Sequence, residues 1–400
     1  MSLPQQIRDA KAAVARRFLH QCLTGPQNAG LPQTARACGQ RLDETVSVQR
    51  GLHGTAAAIR VLGEQQGTEV RELLPRLIEY VEKRDEVETP EMRETVQEDA
   101  LNIIKIAESL DAINHVDPAI ALTEGFRRRL SERLLASNIA GRGWSYWTDE
   151  QPRIELLPTA IAIRALASQG YDVQVAVQHL LAEVTKQQNQ ANASGSVDVS
   201  VRVLCLYVLA FGNDGKPLVD IDKLREPFYQ LWSRLSPLLK NEDIEQNVEY
   251  ERRFAHRYVR VPWQLYLIAL TARLAPFRFA SSAVQGRLKA IVAAASGERG
   301  FFYPHSGDKV SARTNAILFE VLTYVQGLWH NLHMKLIPGR IGDFLVNSRI
   351  TAWFARGLAG VIVLVSLREW LWGGSASIAD LAPNLVSAPV LILLSIRRAR

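Results

Sequence analysis

Along residues 1–334 apolar side chains recur three and four positions apart, and the alternating runs that build strands are scarce. That spacing is the period of the α-helix, so the pattern predicts an all-α body. Two stretches, GLHGTAAAIRVL (51–62) and ELLPTAIAIRAL (155–166), align without gaps, and GSVDVSVRVLCL (195–206) joins them when shifted by two. A fourth, SARTNAILFEVLTYV, shares a threonine, Thr314, and an apolar helix, but has Phe319 where the others carry arginine. Weaker members are ETVQEDALNIIKIAESL and RVPWQLYLIALTARL. The implied helix starts, near 55, 99, 159, 200, 262 and 314, lie 41 to 62 residues apart, which is room for a helix pair in each of about six units.

The tail follows a different pattern. Gly357–Leu367 is an uncharged apolar run of 11 residues between Arg356 and Arg368, with Trp353 before it and Trp370 and Trp372 after it. After the Gly373-Gly374-Ser375 break, Leu381–Ile396 supplies 16 residues without a charge, followed by Arg397, Arg398 and Arg400. Tryptophans at both ends suit an aromatic belt, and the basic flanks orient both ends toward the cytoplasm. A two-helix transmembrane hairpin is expected over about 350–372 and 378–396. The first run is short of the roughly 20 residues a span needs, so Arg356 and Arg368 must snorkel or face a partner. The expected organisation is a helical N-terminal segment (1–44), a repeat domain (45–334) and a membrane hairpin (335–400).

Charge supports that division. The formal net charge is +6, yet residues 335–400 hold eight Lys/Arg against three Asp/Glu, which leaves the body close to neutral. The basic character therefore belongs to the tail, and a nucleic-acid partner loses its main support. Cys22, Cys38 and Cys205 are scattered, with no CxxC spacing for zinc or redox chemistry. The N-terminus is amphipathic and charged, without the apolar core of a secretory signal. The body is thus expected in the cytoplasm, with the hairpin in the inner membrane.

Two of the loops that enter the apolar helices are also related: GRGWSYWTDEQPRIELLPT, with Gly143-Trp144, and GERGFFYPHSGDKVSART, with Gly300-Phe301. A glycine-aromatic loop leading into a small-residue helix resembles the α/α-toroid superfamily of prenyltransferase and squalene-cyclase repeats, over about residues 45–330. The resemblance implies a ring of about six helix pairs; an open α-solenoid is the alternative. The family's chemistry is not matched. No DxDD-type acid motif is present, and Asp198 and Cys205 are seven apart rather than in the Asp-x-Cys spacing of the prenyltransferase zinc site. Catalysis is therefore left unassigned, with the balance against an enzyme, while the scaffold expectation stands.

Candidate chemistry centres on Arg60, Arg164 and Arg202, which share a register in three helices otherwise built of Ala, Ile, Val and Leu. A charge in such surroundings needs a partner. Three guanidinium groups facing one cavity would suit a phosphate or carboxylate; the alternative is that each arginine pairs with acids of a neighbouring outer helix. The aromatics Trp144, Tyr146, Trp147, Phe301, Phe302 and Tyr303 could roof that cavity or pack the loops. His53 and His305 are candidate acid-base groups. His330 and His333 share a helix face without a third ligand nearby, so no metal is assigned, and no motif asks for a cofactor. The stretch Asn241–Arg253 reads as a solvated helix face or loop.

Three functions fit: a membrane-tethered module that binds a ligand or partner and acts through the hairpin, as a bacterial signalling or antiviral defence effector would; a membrane-associated isoprenoid- or terpenoid-active enzyme; and a non-catalytic scaffold. The expected partners are membrane lipid, an anionic small molecule or protein, and a second copy of the chain through the hairpin.

Overall fold

The computed structural model describes residues 3–24, 34–36, 52–88, 102–118, 120, 123–146, 153–186, 199–212, 214–240, 244–252, 255–296 and 309–336. They are mostly helical. In chain order they form α1 (Leu3–Thr24), β1 (Thr34–Arg36), α2 (Leu52–Gly63), α3 (Thr68–Glu88), α4 (Ile103–Asn114), α5 (Glu124–Ala136), α6 (Leu156–Ala167), α7 (Gln174–Lys186), α8 (Val199–Phe211) and α9 (Asp222–Leu235). A 3-10 turn (Ser236–Lys240) leads to β2 (Gln246–Arg252), β3 (Ala255–Val261), α10 (Trp263–Leu274), the short α11 (Pro276–Phe279), α12 (Ser282–Ser296), β4 (Lys309–Ser311) and α13 (Ala312–Leu336). The six expected apolar helices begin at 52, 103, 156, 199, 263 and 312.

Two kinds of helix alternate, and the difference is written in their polarity. In α8 every residue from Ser200 to Phe211 except Arg202 is buried, as a helix enclosed on all sides requires. In α9 only Leu224, Pro227, Phe228, Leu231, Trp232 and Leu235 are buried, a single stripe at helical spacing that leaves the other face to water. The contacts follow this division. The apolar helices form a closed cycle in which α2 packs on α4, α4 on α6, α6 on α8, α8 on α10, α10 on α13, and α13 back on α2. Amphipathic helices cover the outside: α3 lies on α2 and α4, α5 on α4, α7 on α6 and α8, and α9 on α8 and α10.

The N-terminal segment belongs to the same core. Helix α1 packs on α2, α12 and α13, burying Ile7, Ala10, Val14 and Phe18 in one cluster that continues to Val325. Strand β1 pairs antiparallel with β4, Thr34 opposite Ser311, immediately before α13 begins. The expectation of a helix face or loop over Asn241–Arg253 is corrected by β2, which forms a hairpin with β3, Gln246 opposite Val261. Val259 and Val261 alternate into the core, and that two-residue period sets the strand.

No helix among the described residues is long and apolar enough to cross a membrane. The expected hairpin, with Trp353, Arg356, Arg368, Trp370 and Trp372, lies outside the described residues, as do Cys38, Trp147, Phe301, Phe302, Tyr303 and His305.

Candidate functional site

All six apolar helices contribute to one central cavity of about 50 Å³, space for a few water molecules. The room exists because Ala56 and Ala57 of α2, Ala112 of α4 and Ala316 of α13 stand where larger side chains would fill it. Its polar lining is His53 and Arg60 from α2, Glu108 and Asp111 from α4, Arg164 from α6, Tyr266 from α10 and Arg313 from α13.

These charges form two clusters. In the first, two arginines grip the same two carboxylates: Arg60 Nη1 lies 2.7 Å from Asp111 Oδ2 and Nη2 lies 2.5 Å from Glu320 Oε2. Arg164 Nε lies 3.3 Å from Asp111 Oδ1, and its Nη2 lies 2.7 Å from Glu320 Oε1. Tyr207 of α8 donates its hydroxyl to Glu320 Oε1 at 2.6 Å. Beside this cluster the rings of Tyr207 and Tyr266 approach to 4.5 Å and those of Phe211 and Tyr324 stack at 5.0 Å. In the second cluster Glu108 takes two partners, with His53 Nδ1 bonded to Oε2 and Arg313 Nε 2.7 Å from Oε1. Arg313 also donates from Nη1 to the carbonyl of Arg260 at 3.0 Å.

Burial acts on both acids of α4. It pushes the Asp111 carboxyl up to about 7; Arg60 pulls against that shift, while Glu320, Glu108 and Asp214 add to it. Burial would raise Glu108 as well, but Arg313 and His53 outweigh it and hold that carboxyl down at about 2. For Arg60 the burial penalty is overcome by Asp111 and Glu320, so its guanidinium is held charged more firmly than in water. Burial raises the hydroxyls of Tyr207, Tyr266 and Tyr324. One acid of the cavity is thus fixed as an anion and another changes charge near neutral pH, separated by a single helical turn.

Of the three arginines expected to share a register, Arg60 and Arg164 meet at this cavity and Arg202 does not. Arg202 lines a separate pocket with Val184, Leu231 and Arg234, where burial and then Arg234 lower the affinity of its guanidinium for a proton. The cavity-facing residues of α8 are Leu204 and Val208. Two residues along an α-helix turn the side chain by about 200°, so the two-residue shift in the alignment put Arg202 on the opposite face. The partners of Arg60 and Arg164 stand on the apolar helices α4 and α13, and the expectation of acids on outer helices is corrected accordingly.

Trp144 and Tyr146 do not roof the cavity. Trp144 is fully buried in its loop, donating Nε1 to the Leu134 carbonyl at 2.7 Å and its backbone N–H to Thr159 Oγ1 at 2.9 Å. The Tyr146 hydroxyl meets Asn102 Nδ2, the side chain that caps α4. Glycine is needed at 143 because a Cβ there would lie 2.6 Å from Thr159 Oγ1 and 2.7 Å from Ile154 Cγ2. The Gly143-Trp144 loop therefore serves packing.

Sequence reasoning missed Glu108, Asp111, Arg313 and Glu320. Their signal was present: each is a charge on an apolar helix, the criterion that singled out the arginines. Glu320 directly follows Phe319, which occupies the arginine register of the fourth repeat. Among the described residues no group of three or more His, Cys, Asp or Glu side chains is arranged to hold a metal ion. A scan of protein-family models, a search of curated proteins and a search of solved structures each returned no match to this chain.

Proposed function

We propose that the chain is a ligand- or partner-binding module on an α/α-toroid frame, tethered to the cytoplasmic membrane by its C-terminal hairpin and acting through that hairpin as a signalling or defence effector. The observation that carries the binding reading is the charged cavity at the centre of the cycle. A buried ion-pair network is no more stabilising than well-packed apolar side chains of the same volume. Seven ionisable side chains turned into a small open space, where a scaffold would need only packing, favour recognition.

The volume argues against the isoprenoid-active enzyme. Sites for molecules of that size are typically about 300–1,000 Å³ and mostly apolar, whereas this cavity measures about 50 Å³ and is lined with charges. The absent acid and zinc motifs point the same way. The hairpin half of the reading rests on the tryptophan-flanked apolar runs and basic flanks of residues 335–400.

The test uses the full-length protein reconstituted in dye-loaded liposomes and exposed in turn to small carboxylates, inorganic phosphate, nucleotides whose phosphate alone could enter the cavity, and isoprenyl diphosphates, with thermal shifts recorded in parallel. The expected result is leakage with one ligand class and none without ligand, accompanied by stabilisation that grows with occupancy. Vesicles that stay intact under every condition would reduce the hairpin to an anchor. Stabilisation by isoprenyl diphosphates alone, followed by turnover, would establish the enzyme instead.

A further inference from the structure

The unused hydrogen-bonding capacity of the cavity is biased toward donors. Arg313 spends Nε on Glu108 and Nη1 on the Arg260 carbonyl, leaving Nη2 without a bond among the described residues. Arg60 Nη2 and Glu320 Oε2, 2.5 Å apart, are paired with each other and add neither a spare donor nor a spare acceptor. The Tyr266 hydroxyl carries no hydrogen bond among the described residues, and His53, anchored through Nδ1, keeps Nε2 unengaged there. Two donors, Arg313 Nη2 and the Tyr266 hydroxyl, describe a place for an acceptor.

Resting on the binding reading above, we propose that this cavity binds a single small oxyanion, a carboxylate or monophosphate group, and that binding draws a proton onto Asp111. The charges explain the coupling. With Asp111 ionised, Arg60 and Arg164 are matched one for one by Asp111 and Glu320, and an incoming anion meets no net attraction. With Asp111 neutral, two guanidinium groups face one carboxylate, and the surplus charge is available to the ligand.

The groups around Asp111 agree with that assignment. Helix α2 presents Arg60, α6 presents Arg164, and α13 presents Glu320 and Tyr324, while Tyr207 of α8 is committed to Glu320. Asp214 acts from beyond the end of α8, and Glu108 from the turn before on α4 itself. On the outer side Arg127 of α5 is committed to the carbonyls of Ile113 and Val116, and α3 directs no charge at Asp111 among these contacts. Burial, with the carboxylates nearby adding to it against the pull of Arg60, brings Asp111 to titrate near neutrality, which makes it the group able to exchange a proton for a ligand at cellular pH.

The size of the space restricts the ligand to one such group, carried either by a free small molecule or by a lipid headgroup. The experiment is calorimetric titration of the full-length protein, in nanodiscs of neutral phosphatidylcholine, with acetate and with inorganic phosphate. Acetate carries the pH arm because its own charge is constant there. Expected are saturable binding that is about tenfold tighter at about pH 6 than at about pH 8, and proton uptake seen as a dependence of the heat on the buffer's ionisation enthalpy.

Asp111→Asn should bind acetate at every pH with the affinity the natural protein has at low pH. If that variant keeps the full pH dependence, the proton sits elsewhere and the assignment to Asp111 is overturned. If neither anion binds the natural protein at either pH, the oxyanion site is overturned, whether or not the variant folds. Ligand-triggered leakage surviving that outcome would leave the binding module standing. Weakened acetate binding in nanodiscs containing phosphatidic acid identifies a headgroup as the source of the same chemistry, and unchanged binding identifies a free anion.

Discussion

Arg60 Nη2 on α2 lies 2.5 Å from Glu320 Oε2 on α13, so the contact that closes the cycle of apolar helices carries an ion pair at its centre. Glu320 also takes Arg164 of α6 and the hydroxyl of Tyr207 of α8. One carboxylate thus ties together three helices besides its own, and its loss would leave two enclosed guanidinium groups sharing the single carboxylate of Asp111.

Glu320→Ala should therefore be among the most damaging single substitutions, costing about 3–5 kcal/mol because uncompensated charges are left buried. Glu320→Gln, which retains the shape and an acceptor oxygen, should cost less. Denaturant unfolding of the two variants checks this, and a loss below about 1 kcal/mol for the alanine variant would show that water or rearrangement replaces the carboxylate.

The two acids of α4 predict opposite limbs in a stability-pH curve. Glu108, depressed to about 2, contributes stability that is present above its unfolded value and lost as pH falls through 2. Asp111, raised to about 7, binds its proton more tightly when folded, so its contribution is present below its unfolded value and declines as pH rises through 7. Asp111→Asn should flatten the decline between about pH 4 and 7 and leave the acid limb in place. Chemical denaturation across that range reads both, and an unchanged decline in the variant would remove Asp111 as its cause.

Arg202 provides the control for the register. Arg164→Gln should weaken acetate binding at least tenfold, whereas Arg202→Gln, on the opposite face of its helix, should change it less than about twofold. Equal losses in calorimetry would return Arg202 to the shared site.

Glycine substitutions separate loop packing from helix propensity. Gly143→Ala forces a Cβ against Thr159 and Ile154 and should destabilise by about 1–3 kcal/mol. Gly286, inside α12 with open space around it, should give a variant up to about 1 kcal/mol more stable as alanine. Thermal unfolding midpoints moving in opposite directions are expected; a neutral Gly143→Ala would mean the loop yields.

The helices were legible because burial on one stripe or on all sides leaves a local period in the sequence. Periodicity found the six apolar helices to within a few residues, including α4, whose expected start near 99 moved to Ile103 once Asn102 took the capping position. It failed for β2, where the charged residues of Asn241–Arg253 hid the alternation that its partner strand β3 displays. The site was half legible. Arg60 and Arg164 stood out as charges among Ala, Ile and Leu, and the same test applied to Glu108, Asp111, Arg313 and Glu320 would have completed the set.

What the sequence determined by itself is therefore local: which segments are helical, which are enclosed and which face water, and which charges must find a partner. Which partner each charge finds was decided only by the tertiary structure. Arg164 and Glu320 are 156 residues apart, and nothing local tells which enclosed acid each arginine meets. Closure of α13 onto α2 brings them together, because only in a closed cycle do the enclosed faces of all six helices share one interior, and a charge desolvated there must be neutralised by another in the same place.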